Sequence, residues 1–290
     1  MSHLLCFGLG YSARRIARRL ANEGWHVTGT ARTPAGVAAI VAQGYDALHF
    51  DGTQPSDEMR SAIPTATHVL LSAPPDASGD PLLHHHERDL AGAKSLRWIG
   101  YLSTLGVYGD SGGEWIDEAA PTRPRSLRGQ RRIAAEANWL DLGRRLGIST
   151  HVFRLAGIYG PGRSAIERLR EGTAHRIVKP GQVFNRIHVD DIAATVCAAI
   201  ARGTHDIYNV ADDEPSPPQD VVSFAAELLQ MPPPAEVLFA DAKLSPMAAS
   251  FYADNRRVSN KRIRQDLGVA LQFPTYREGL RAILSQTENV

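Results

Sequence analysis

The spacing Gly8-x-Gly10-x-x-Ala13, set between a short apolar run and an amphipathic repeat, constrains this chain more than any other feature. Leu4 to Phe7 is an apolar run the size of a strand buried on both faces. Ala13, Ile16, Ala17 and Leu20 then recur at i, i+3, i+4 and i+7, one face of a helix. The glycines therefore fall on a strand-to-helix turn, the context that gives the spacing its meaning. Gly8 permits the tight turn, Gly10 has no Cβ to hold a pyrophosphate away, and Ala13 lets the helix lie close to the strand. Tyr11 and Ser12 stand where the helix begins, and the open N–H groups there attract phosphate charge.

The next strand sharpens this reading. Trp25–Ala31 ends at Arg32-Thr33, where an NAD site usually places an acid for the ribose 2′-hydroxyl. Arg32 stands there instead, and a guanidinium suits a 2′-phosphate. The expected coenzyme is NADP, with NAD as the alternative. The competing reading of Arg32 is a solvated arginine.

Strand and helix patterns alternate through the first half. Gly36–Gln43 reads as a helix, Ala47–Phe50 as a strand closing at Asp51, and Thr67–Leu71 as a strand broken by Ser72-Ala73-Pro74-Pro75. Leu82–Leu96 reads as a helix, Trp98–Leu102 as a strand ending at Ser103-Thr104, Gln130–Leu146 as a long helix and Thr150–Phe153 as a strand. Strands separated by helices imply a parallel sheet with right-handed crossovers, which binds ligands at the carboxyl ends of its strands. Gly8, Arg32, Asp51, Ser72 and Thr104 all fall at such ends. The expected architecture is α/β: a Rossmann-type doubly wound parallel sheet with a smaller C-terminal substrate lobe. The first region is residues 1–160 and the second 161–290, interleaved with the core rather than independent. Within the second, Arg176–Val189 reads as a hairpin around Lys179–Gln182, and Asp190-Asp191 as the cap of a helix over Ile192–Ala201.

Composition excludes several partners. The 290 residues are 43% apolar, ample for a buried core, and the net charge is only +1. No bulk field recruits nucleic acid or an anionic membrane. No run approaches the roughly 18 apolar residues of a membrane span, and the chain starts directly in a strand pattern. Cys6 and Cys197 read as small core residues in a reducing compartment, so the expected location is cytoplasmic.

Several segments together resemble the short-chain dehydrogenase/reductase superfamily in its extended, epimerase/dehydratase-like form. They are the glycine turn, Tyr101-Leu102-Ser103-Thr104 with Val107-Tyr108-Gly109-Asp110, Arg154 through Tyr159-Gly160-Pro161-Gly162, Ile187-His188-Val189-Asp190-Asp191, and Tyr208-Asn209-Val210. The resemblance implies that Asp51 meets the adenine and that Ser72-Ala73-Pro74 passes the nicotinamide ribose. It implies that Thr104 polarises a substrate carbonyl; the competing reading is a strand-end hydroxyl bonded to local backbone. Arg154, Tyr159 and Arg186 fall toward the substrate.

Three departures accompany it. Extended members usually carry G-x-x-G-x-x-G, and here Phe7, Gly10 and Ala13 hold those slots. The family's Tyr-x-x-x-Lys pair, counted back from the acid Glu136, becomes Arg128 and Arg132. Arg132 keeps positive charge for the ribose. Arg128 cannot cycle a proton near neutrality, but suits an anionic group or an oxyanion. A solvated helix start is the competing reading of both. The arginine that holds a nucleotide-sugar pyrophosphate is replaced by Phe184, with Arg186 adjoining the Ile-His-Val run instead. Tyr108 is a spare phenol, read either as an acid or as aromatic packing.

His84-His85-His86 point about 100° apart on a helix and cannot converge on one ion, so no metal is expected. His188 reads as a structural strand histidine. The long helix has apolar residues on two faces, one for the sheet and one for a second copy of the chain, so a homodimer is expected. Two functions remain open at this level. One is an NAD(P)-dependent epimerase, dehydratase or reductase acting by hydride transfer on a sugar-like or carbonyl small molecule. The other is a non-catalytic NADP(H)-binding sensor or scaffold that lacks the Tyr-x-x-x-Lys pair.

Overall fold

The computed structural model describes residues 1–288. The chain begins β1 (His3–Phe7), α1 (Tyr11–Asn22), β2 (His26–Ala31), α2 (Pro34–Val41), β3 (Asp46–His49), α3 (Asp57–Ala62) and β4 (His68–Leu71). It continues α4 (Pro81–Gly92), β5 (Trp98–Thr104), β6 (Trp115–Ile116), α5 (Leu127–Leu146), β7 (Ser149–Leu155), β8 (Gly157–Tyr159) and α6 (Ala165–Arg170). Then come β9 (Arg176–Val178), β10 (Arg186–His188), α7 (Val189–Ile200), β11 (His205–Val210) and α8 (Pro218–Leu228). The last elements are β12 (Glu236–Leu238), α9 (Pro246–Phe251), β13 (Arg257–Val258), α10 (Lys261–Gln265) and α11 (Tyr276–Glu288).

Seven strands form one sheet in the order β11-β7-β5-β4-β1-β2-β3. β1 pairs in parallel with β2 and β4, β2 with β3, and β4 with β5. The order reverses between β1 and β4, the switch point at which doubly wound sheets bind ligands. This is a Rossmann-type α/β fold. β1 is buried throughout, as an apolar strand covered on both faces must be.

The chain divides into two compact units. The first comprises residues 1–107, 125–154 and 192–208, and the second 108–124, 155–191 and 209–290. Each has its own apolar core. In the first, Leu5, Phe7, Val69, Leu71, Ile99 and Tyr101 from the sheet pack with Trp139 and Leu142 of α5. In the second, Ile166 and Leu169 of α6 pack with Val222 and Ala225 of α8 and Leu280 of α11.

Local chemistry sets the ends of the helices. α5 starts at Leu127, three residues before the expected Gln130, because the Ser126 hydroxyl accepts from Gly129 N at 3.1 Å and caps it. It stops at Gly147, which takes the left-handed conformation at φ 65°. α4 starts at Pro81, capped by Asp80. The expected hairpin over 176–189 is not formed. The turn at Lys179–Gln182 is present, with Gln182 N donating to Lys179 O at 3.1 Å. Its flanks pair elsewhere: β9 in parallel with β12, and β10 in parallel with β8. Asp191 does not cap α7, which begins at Val189. Its carboxylate instead accepts from Gln272 N at 2.7 Å and Phe273 N at 3.1 Å.

Candidate functional site

In the first unit, the residues after β1, β2, β3, β4 and at the end of β5 follow one another along the carboxyl edge of the sheet, because those strands are neighbours. Gly8 is held at φ +83°, a conformation that favours glycine. Its N–H donates to Thr30 Oγ1 at 2.9 Å, and Leu9 N donates to Thr30 O at 3.1 Å. A Cβ on Gly8 would stand 3.1 Å from Ala73 N. Ser72 N and Ala73 N both donate to Phe7 O, at 2.9 and 3.2 Å, so Ser72-Ala73-Pro74 runs beside the turn. Gly10 caps α1 with no side chain over the open amides, and a Cβ there would meet nothing within 4 Å. Ser12 and Ala13 are buried, and Tyr11 is half-buried. The turn is thus closed by the protein at Gly8 and bare at Gly10, a cradle that fits a diphosphate.

Arg32 is exposed, and its carbonyl accepts from His49 Nε2 at 3.1 Å. Thr33 caps α2, its hydroxyl accepting from Gly36 N at 3.1 Å. Asp51 is exposed, and Thr53 holds its carboxyl below the usual range by donating a backbone N–H at 2.9 Å and a hydroxyl at 2.8 Å.

At the end of β5, Thr104 is half-buried and its Oγ1 accepts from Gly106 N at 3.1 Å. That bond orients the hydroxyl and leaves its proton to be donated. Beside it, sequence reasoning missed a buried network. Ser103 donates to Glu136, and Arg154 grips the same carboxylate through Nε at 3.1 Å and Nη2 at 2.8 Å. All three are at most 5% exposed. Such a fork is a strong charge-assisted pair, so Arg154 is engaged with Glu136 inside the unit. Glu136 was legible as the acid in the helix; its partners lie 33 and 18 residues away in sequence and carry no local signal. Arg132 is buried, with Nη1 donating to Leu102 O at 2.6 Å and to the Tyr101 hydroxyl at 3.2 Å. Arg128 stands exposed on the first turn of α5.

The second unit holds Tyr108, Tyr159 and Arg186. The Tyr108 hydroxyl donates to Asn209 Oδ1 at 2.7 Å and is buried. Tyr159 donates to Thr275 O at 3.3 Å, and burial, reinforced by Asp212 and Asp191, pushes its phenol up. Arg186 is half-buried, with Nη1 donating to Ser216 Oγ at 2.7 Å and to the carbonyls of Phe184 and Ser216 at 3.0 and 3.1 Å. Burial lowers its pKa, opposed by Asp212. Burial in turn pushes Asp212 well up, with Arg186 pulling the other way. Tyr159, Arg186 and Asp212 therefore form one electrostatic group, of which Asp212 had no motif to mark it.

Among the described residues, no group of three His, Cys, Asp or Glu could hold a metal ion. His85 Nε2 bonds Gly52 O at 3.0 Å, and His86 donates to Asp89 Oδ2 at 2.7 Å. No helix of the described residues is long and apolar enough to cross a membrane.

Sheet order, switch point and glycine turn define a dinucleotide-binding class of α/β protein. The chain belongs to the NAD dependent epimerase/dehydratase family, which matches residues 8–211. It is 28% identical over 288 residues to Protein YeeZ of Escherichia coli strain K12, covering 94% of this chain and 97% of that one. A solved structure of a functionally unknown conserved protein from Silicibacter pomeroyi DSS is 48% identical, covers 99% of both chains and has a TM-score of 0.91. A UDP-glucose 4-epimerase of Thermus thermophilus, solved as a complex with NAD, is 21% identical over 99% of both chains with a TM-score of 0.74, a likeness of fold.

Proposed function

We propose that this protein binds a nicotinamide dinucleotide, NADP(H) in preference to NAD(H), and moves a hydride between it and a small carbonyl or sugar-like substrate. The observation that carries the reading is Gly10: the side chain it lacks would project into space no protein atom fills, at the uncapped start of a 12-residue helix. Gly8, Tyr11, Ser12 and Ala13 complete the phosphate turn. Arg32 and Thr33 would hold the 2′-phosphate, Asp51 the adenine, and Ser72-Ala73-Pro74 the nicotinamide ribose. When bound, the nicotinamide supplies hydride acceptance or donation. Thr104, its hydroxyl oriented by Gly106 N, donates to the substrate oxygen. Arg128 would face an anionic group.

Titrating the protein with NADPH and NADH by calorimetry tests the coenzyme. Arg32→Ala should weaken NADPH by about tenfold or more and NADH by far less, since a charge-assisted pair to phosphate is lost. Equal losses would remove Arg32 as the reader of the 2′-phosphate. Absorbance screening with carbonyl compounds, sugars and sugar nucleotides tests turnover, which Thr104→Ala should reduce by about 10²-fold if the hydroxyl is an oxyanion donor.

The second reading is coenzyme binding without turnover. It is favoured by the inward bonds of Arg132 and by Tyr108, whose phenol donates to Asn209. Tight NADPH binding with no substrate across the screen would establish it.

A further inference from the structure

Arg132 occupies the slot at which a lysine of the resembled superfamily would meet the coenzyme ribose. Its own geometry points elsewhere. The side chain leaves α5 toward β5, and the residue is 7% exposed. Nη1 donates to the Leu102 carbonyl and to the Tyr101 hydroxyl, and the guanidinium carbon lies 5.5 Å from the centre of the Tyr101 ring. One turn further along the helix, Glu136 takes the Ser103 hydroxyl. Successive residues of β5, 101, 102 and 103, are therefore held by two side chains of α5 spaced i, i+4, and Thr104 is the next residue.

We propose that Arg132 is a positioning residue: with Glu136 it clamps the carboxyl end of β5 and thereby sets Thr104, and it makes no bond to the coenzyme. The chemistry suits arginine. The two N–H groups of Nη1 serve a carbonyl and a phenol together while the guanidinium lies near an aromatic ring; a lysine ammonium ends one atom short of Nη1, and held at the carbonyl it draws away from the phenol. The remaining buried polar atoms agree with an inward role. Arg132 Nε is buried without a hydrogen-bond partner. Burial raises the Asp80 pKa, opposed first by the Trp139 side chain, then by the Leu83 and Leu82 amides, and last by the Arg132 charge. Asp80 also caps α4 through Leu82 N at 3.0 Å. The guanidinium is thus held at the end of β5, and its charge is felt by the cap of α4 within the same unit.

Two measurements on the full chain test this. The first is amide hydrogen exchange without ligand. Over residues 102–106 it should accelerate by about tenfold in Arg132→Met, with Arg132→Lys falling between that variant and the wild type, because the ammonium retains one bond. Unchanged exchange in both variants would overturn the clamp. Should the methionine variant fail to fold, the lysine and glutamine variants decide the same question. The second is NADPH titration, which rests on the coenzyme reading above. Arg132→Lys should bind within about twofold of wild type, whereas Arg32→Ala loses about tenfold. A loss in Arg132→Lys as large as that in Arg32→Ala would place the guanidinium on the coenzyme and overturn the proposal. Failure of the wild type to bind NADPH or NADH would overturn the coenzyme reading alone, leaving the exchange result to decide the clamp.

Discussion

Two glycines two residues apart do opposite work in this chain. Gly8 is needed by the protein itself: its φ of +83° lies in the left-handed region, and an added Cβ would press on Ala73 N at 3.1 Å and Ala73 Cβ at 3.2 Å. The left-handed region costs a side-chain-bearing residue roughly 1–2 kcal/mol. Gly10 has extended backbone at φ −85°, ψ −165°, which any residue adopts, and open space where its side chain would be. Gly8→Ala should therefore lower the melting temperature whether or not coenzyme is present. Gly10→Ala should cost the fold under about 1 kcal/mol, the difference between Gly and Ala at a helix cap, while weakening NADPH binding by tenfold or more (about 1.4 kcal/mol). Thermal melts and calorimetry on the pair separate the two roles. A Gly10→Ala protein that binds coenzyme as tightly as wild type would remove the phosphate from this turn.

At the scale of elements, what the sequence made legible was whatever rests on nearby residues. β1, the glycine turn and α1 follow from spacing within twenty positions, and the alternation of strand and helix placed Gly8, Arg32, Asp51, Ser72 and Thr104 at strand ends; the order of the strands is set by pairing between distant segments. Helix starts were missed where the cap lay outside the apolar repeat. Ser126 draws α5 back to Leu127, and Asp80-Pro81 was itself a readable cap signal for α4. The hairpin over 176–189 failed for another reason: two short strands flanking a good turn paired with β12 and β8, and partners distant in sequence leave no local trace. The same limit governs the site. Arg132 and Glu136 were found by counting along α5, yet the direction each points is set by Leu102, Ser103 and Arg154 on β5 and β7. A guanidinium four residues before an acid says nothing of whether it faces ligand or core. Asp212 went unseen for the same reason, since no motif announces a buried acid whose charge is opposed by Arg186.

For the molecule as a whole, the opposite edge of the sheet governs how the fold responds to acid. β1, β2 and β4 each begin with a histidine, and β7 carries His151 near its start. His151 is fully buried; its Nδ1 accepts from Trp98 Nε1 at 2.9 Å, which puts its proton on Nε2, bonded to Thr204 Oγ1 at 3.2 Å. A second proton on Nδ1 would break the indole bond. Burial accordingly lowers His151 to about 4, and His68 likewise to about 4. His3 is lowered too, chiefly by burial. Each folded pKa lies below the unfolded value of about 6.5, so the unfolded chain takes up these protons first. The stability they confer is complete above pH ~6.5, falls as the pH drops from there toward 4, and is then constant. His151 accounts for on the order of 3 kcal/mol of that loss, and the partly exposed His68 for less. Asp212 acts with the opposite sign, and so do Asp80, Glu118 and Asp191, because a raised carboxyl pKa lets the folded state bind a proton before the unfolded one does. Urea unfolding at pH 7.5 and pH 5 should show wild type losing stability, and His151→Gln, whose amide can still accept from Trp98, losing markedly less. Identical pH slopes in the two proteins would mean that His151 already carries its charge in the fold, contrary to its bond with Trp98.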